Sequence, residues 1–260
     1  MAGLSLDHPW AFSCGIIGNL ISFLVYLAPL PTFYRVYKKK STEGFQSVPY
    51  VVALFSAMLW IYYAFIKTGA YLLITINSVG CVIETVYIIM FLAYAPRSAR
   101  VYTAKILLLL NVGLFGLILL TTLFLSQGDA RVKILGWVCV GFSVSVFVAP
   151  LSIIRLVIRT RSVEFMPFFL SFFLTLSAIA WFSYGLFTRD KYVALPNVLG
   201  FAFGVIQMVI YYLYKDAKKV VQEPQGAEDV IQDLESTKAV NESDVKVIEG
   251  GKEIEIINIV

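Results

Sequence analysis

Two asparagines stand inside runs of apolar residues, Asn77 in ITIN and Asn197 in ALPN. An amide in an apolar setting is costly unless something bonds to it, so each calls for polar company. Four serines and two tryptophans can supply it. Ser56 and Trp60 are spaced i, i+4, and Ser177 and Trp181 repeat that spacing, which puts each pair on one helix face. Ser22 and Val25, spaced i, i+3, recur as Ser143 and Val146. A pocket built from these residues would hold two amides, four hydroxyls and two indoles, with no charge. Amides and hydroxyls bond to the hydroxyl groups of a neutral polyhydroxylated ligand, and indole faces cover the C–H faces of its ring. Ions and carboxylates fit such a pocket poorly.

The residues come in matched sets because the chain repeats itself. Ala28-Pro29-Leu30 recurs as Ala149-Pro150-Leu151 at an offset of 121, and at that offset Ser41, Glu43, Ser56, Trp60 and Tyr63 match Ser162, Glu164, Ser177, Trp181 and Tyr184. Asn77 and Gly80 match Asn197 and Gly200 at an offset of 120, and Pro49 corresponds to Pro167. Serine and asparagine often hold membrane helices together, and tryptophan often marks the membrane interface. Neither job needs the same residues at the same depth of two repeats, which is the reason to read a binding site here.

Membrane helices must position these side chains. The 260 residues are 59% hydrophobic and 15% charged, with mean hydropathy +0.79, far more apolar than a soluble domain. Apolar runs long enough to cross a bilayer cover 10–33, 46–66, 70–94, 103–125, 133–157, 166–187 and 191–214. Alternate connections carry 13 Lys and Arg on one side and 5 on the other, so the first side is expected in the cytosol, the N-terminus outside and the C-terminus inside. No Lys or Arg precedes the first apolar run and no small-residue cleavage site follows it, so that span is expected to stay. The expected fold class is an all-α polytopic membrane protein, with seven transmembrane helices arranged as two parallel three-helix repeats joined by a linker helix (3+1+3). Three crossings leave the chain on the wrong side to begin an identical unit, and the extra helix corrects this. The expected domains are a first repeat over 10–95, a linker helix over 96–130, a second repeat over 131–216 and a disordered, acidic cytosolic tail over 217–260.

Residues 221–260 hold 10 of the 17 acidic side chains, so the net charge of +4 sums a basic membrane body and an acidic tail and gives no reason to expect nucleic acid. Cys14, Cys81 and Cys139 all lie in apolar segments and indicate no disulfide framework. The only histidine is His8, and no nucleophile–base pair or metal-spaced cluster is present, so neither an enzyme nor a metal or other cofactor is expected. Pro29, Pro49, Pro150 and Pro167 form a second matched set near the cytosolic ends of the first two helices of each repeat, and read as bends that let each unit rock. Pro196 should free a backbone carbonyl beside Asn197. Glu84 is the one acid well inside a span, a candidate proton carrier whose repeat counterpart is Gly204.

The stretches APLPTFYRVYKKKSTEGFQSVPYVVALFSAMLWIYYA and RTRSVEFMPFFLSFFLTLSAIAWFSYG, with ALPNVLG, resemble the plant SWEET sugar facilitators over about residues 10–215, and most closely the sucrose-transporting clade. The resemblance implies that Asn77 and Asn197 bind sugar, with the serines and tryptophans around them. It implies that Val25 and Val146 leave room for a disaccharide, that the four prolines are the family's tetrad, and that Tyr63 with Asp190 contributes to the outer gate, a role for which Tyr184 competes. It further implies a cofactor-free uniporter of sucrose, and of glucose as a second cargo, in the plasma membrane, surrounded by lipid and forming homo-oligomers. Two alternatives stay open: a proton-coupled sugar carrier using Glu84, and a seven-helix ligand-binding receptor.

Overall fold

Proline decides where the first span breaks. Pro29 has no N–H for the carbonyl of Val25, and its ring crowds that carbonyl. Helix α1 (Pro9–Leu27) therefore stops, and α2 (Leu30–Lys39) restarts with Pro29 as its N-cap. The Ala28 N–H turns back to the freed Val25 carbonyl at 3.1 Å. The second repeat also breaks beside its proline, which there falls in the first turn of the new helix and leaves the Val146 carbonyl without its N–H partner. Helix α7 (Gly128–Val146) ends four residues before Pro150, Phe147 N–H turns back to Val144 at 3.1 Å, and α8 (Val148–Thr160) follows. The other two prolines of the tetrad start helices: Pro49 lies in the first turn of α3 (Val48–Ile66), and Pro167 is the N-cap of α9 (Phe168–Phe187). A proline at a helix start loses no hydrogen bond. The tetrad is thus two breaks and two helix starts.

The remaining helices are α4 (Tyr71–Tyr94), α5 (Arg97–Leu107), α6 (Phe115–Leu125) and α10 (Lys191–Tyr214). The computed structural model describes residues 9–164 and 166–216; the tail expected over 217–260, and His8, lie outside them. Among the described residues there is no strand, and seven helical stretches are long and apolar enough to cross a membrane. The first and fifth run over Pro9–Lys39 and Gly128–Thr160, longer than the apolar runs 10–33 and 133–157 because each continues past its break as an amphipathic helix. The fourth runs over Arg97–Leu125, beginning at Arg97 with Pro96 as its N-cap rather than at 103.

Within the units α3 packs on α4 and α9 on α10; between them α1 lies along α9 and, as its repeat counterpart, α7 lies along α3. Phe55, Leu59, Tyr63, Leu135, Trp181, Tyr184 and Tyr192 form one buried cluster that joins the units. The fourth span sides with the first unit. Ser47 and Thr103 share a hydrogen bond of 2.6 Å, Asn111 donates to the Val51 carbonyl at 3.4 Å, and Tyr62 and Thr122 lie 2.7 Å apart. A straight α-helix would set Thr103 and Thr122 about 100° apart around its axis. The π-helical stretch Leu108–Leu114 between α5 and α6 winds more slowly and brings both onto α3.

Candidate site in an uncharged cavity between the repeats

The helix pairs between the units leave a cavity of about 560 Å³. Asn77, Asn197, Trp60, Trp181, Ser56, Ser177, Ser22, Ser143, Val25 and Val146 all line it, so every residue taken from the sequence as a binding residue meets there. Pro150, Pro167 and Pro196 line it too, whereas Pro29 and Pro49 do not. Among the described residues no Asp, Glu, Lys, Arg or His reaches it.

The two amides are held alike. Asn77 Nδ2 donates to the Leu73 carbonyl at 2.8 Å and Asn197 Nδ2 to the Val193 carbonyl at 2.7 Å, each four residues back on its own helix. One N–H and the carbonyl oxygen of each side chain remain for a ligand. Pro196 sits inside α10, which runs on unbroken, and denies the Tyr192 carbonyl its usual N–H partner beside the site. The serines and indoles are less symmetric. Ser22 Oγ lies 3.0 Å from Ser177 Oγ and accepts from Trp181 Nε1 at 3.0 Å, tying α1 to α9 across the two units. Trp60 is half-buried and meets Tyr63 edge-on at 5.6 Å, as Trp181 meets Tyr184 at 5.4 Å.

One end is sealed. Tyr63, fully buried, donates to both carboxylate oxygens of Asp190 at 3.0 Å, and Lys67 forms an ion pair with the same group. Asp190 also accepts from the backbone N–H of Tyr192 at 3.0 Å and of Val193 at 3.3 Å, so it is the N-cap of α10. Tyr184 lies elsewhere, its ring against Gly15. Of the two tyrosines it is Tyr63 that meets Asp190. At the other end, where α2, α4, α8 and α10 finish among Lys and Arg residues, the lining continues through Pro150, Pro167 and Gln207.

The matched lining suggests a duplicated transporter, and comparison with known proteins agrees. A family model described as "Sugar efflux transporter for intercellular exchange" matches twice, over residues 12–99 and 133–219. The chain is 72% identical over 223 residues to bidirectional sugar transporter SWEET13 of Oryza sativa subsp. japonica, covering 86% of this chain and 75% of that one. It is 62% identical over 218 residues to bidirectional sugar transporter SWEET11 of Arabidopsis thaliana, covering 84% and 75%. The chain belongs to the SWEET family. A solved structure titled "The 3.7 A resolution structure of a eukaryotic SWEET transporter" is similar with a TM-score of 0.76 at 34% identity, over 81% of this chain and 99% of that chain. Its SWEET relatives are named as transporters, not as enzymes.

Three features of this SWEET site escaped the sequence reading. Lys67 sits in a loop, where the repeat offset gives no register. Ser171 and Gln207 line the cavity without repeat partners of their own kind, and the signal for them was a polar residue standing where the other repeat has tyrosine. Glu84 is 4% exposed, lies off the cavity, and leaves Oε2 with no hydrogen-bond partner.

Proposed function

We propose that this SWEET-family chain carries sucrose, and glucose as a second cargo, down their gradients across the plasma membrane by alternating access. The observation that carries the reading is one uncharged cavity lined by matched asparagine, serine and tryptophan residues from both repeats. Amide and hydroxyl groups there answer a sugar's hydroxyls, and the indoles answer its ring faces. Val25 and Val146 are small enough to leave space for a second ring. The relatives' description as bidirectional sugar transporters supports the cargo class. A seal of Tyr63, Asp190 and Lys67 at one end, with the lining continuing toward the other, fits a carrier caught facing the basic end. By the excess of 13 basic residues over 5, that end is cytosolic and the N-terminus outside.

The repeats 10–95 and 131–216, joined by the linker 96–130, are the rocking units; lipid surrounds them and the chain works as a homo-oligomer without a cofactor. Uniport is preferred to proton coupling because Glu84 does not reach the cavity. The test is labelled sucrose and glucose flux into proteoliposomes holding the wild type, Asn77→Ala or Asn197→Ala, with and without an imposed pH gradient. Sucrose should equilibrate without accumulation at any gradient, and either substitution should cut the flux by about ten-fold or more. Proton-driven accumulation would assign the mechanism to Glu84, and binding without flux would make the protein a receptor.

A further inference from the structure

Ser171 and Gln207 break the symmetry of the two units. At the offsets that align Ser56 with Ser177 and Asn77 with Asn197, they stand where the first unit has Tyr50 and Tyr87. The first unit fills this level with rings. Phe33 stacks on Tyr87 at 4.4 Å and meets Tyr50 edge-on at 4.9 Å. In the second unit the level is open, and both polar residues line the cavity.

Ser171, 4% exposed, donates to Gln207 Oε1 at 3.2 Å, and Gln207 is itself 8% exposed. That bond fixes the amide and leaves its nitrogen, with two N–H groups, without a protein acceptor among the described residues. The sealed and unpartnered side-chain atoms of the described residues are Glu84 Oε2 and Asn111 Oδ1, so the Gln207 nitrogen borders open space. Leu170 and Phe203 line the cavity with it and offer the apolar surface that a sugar ring needs on its C–H face. Gln207 lies ten residues past Asn197 on α10, about 15 Å along a helix, and Gly200 and Gly204 line the cavity between them. A disaccharide held by the asparagines does not span that distance.

We infer that Ser171 and Gln207 form a second hydroxyl-binding station for sugar, on the path between the asparagine pair and the basic end, present only in the second repeat. The inference rests on the sugar-carrying reading above. Its chemistry is donation of the two amide N–H groups to hydroxyl oxygens of a neutral sugar, with the serine bond holding the amide in place. Sugar arriving from the basic end would stop here before it reaches the asparagines.

The test is ligand-observed saturation-transfer NMR with sucrose on the purified full-length protein. In the variant carrying both Asn77→Ala and Asn197→Ala, sucrose binding should persist at the station, and adding Gln207→Leu should remove it. Ser171→Ala in the same background should weaken the residual binding about five-fold, the factor that one neutral hydrogen bond commonly carries; it also serves should the Gln207→Leu protein fail to fold. Loss of all binding in the double asparagine variant, or residual binding that neither Gln207→Leu nor Ser171→Ala alters, overturns the station alone. A wild-type chain that neither binds nor carries sucrose overturns the sugar reading and the station with it.

Discussion

Asn77 and Asn197 each give one N–H to a carbonyl of their own helix, and that carbonyl keeps its ordinary backbone partner if the side chain is lost. Alanine at either position therefore removes sugar-facing bonds without orphaning a buried group. Sucrose flux should fall by about ten-fold or more for each, as expected for two neutral hydrogen bonds, while the thermal unfolding midpoint stays near that of the wild type. Val25 and Val146 allow a sharper test of cargo size. Phenylalanine at both should suppress sucrose flux far more than glucose flux, measured as the ratio of the two initial rates in one proteoliposome preparation. The polar and indole part of this lining that recurs in both repeats was legible in the sequence, because duplication writes each such residue twice. Ser171 and Gln207 were not, since a search for identities passes over places where one copy has exchanged tyrosines for a hydrogen-bonded polar pair. The resemblance offered Tyr63 with Asp190 and left Tyr184 competing; choosing between the two tyrosines needed the structure, because Asp190 sits at a loop end where the repeats cannot be aligned.

Four prolines in matched places looked like four bends, but a proline acts according to where in its helix it falls. Pro29 and Pro150 interrupt spans, while Pro49 and Pro167 sit where a helix would begin anyway. Pro150→Ala should let α7 run into α8 and cut sucrose flux several-fold. Pro49→Ala, which restores no interrupted hydrogen bond, should cost less; flux of the two variants at equal protein density decides it. The seven crossings and the odd fourth helix followed from hydropathy and parity. The π-helical stretch and the ties from Thr103, Asn111 and Thr122 to α3 did not, because an interior change of winding leaves the apolar pattern intact. Phenylalanine at Tyr62 together with valine at Thr122 should lower the unfolding midpoint modestly, since polar ties between membrane helices average about 0.6 kcal/mol.

At the scale of the whole molecule, Asp190 ties the two units together, accepting from Tyr63 of the first and capping α10 of the second. Exchanging the charges, Lys67→Asp with Asp190→Lys, should fail to restore flux. A lysine at position 190 can accept neither the Tyr63 hydroxyl nor the two backbone N–H groups that begin α10. Flux of the swap compared with each single variant is the measurement, and recovery to wild-type rates would reduce the seal to a plain ion pair. Asp190 answers to both sides of the seam, but its bonds to Tyr192 and Val193 belong to its own helix. Were the proposed rocking to withdraw Tyr63 and Lys67, those bonds would remain, and the carboxylate would not be left bare. A latch whose fixed half keeps its own bonds would favour neither side of the membrane. Such a carrier would take its direction from the sugar gradient alone, filling or emptying the compartment it borders as that gradient turns.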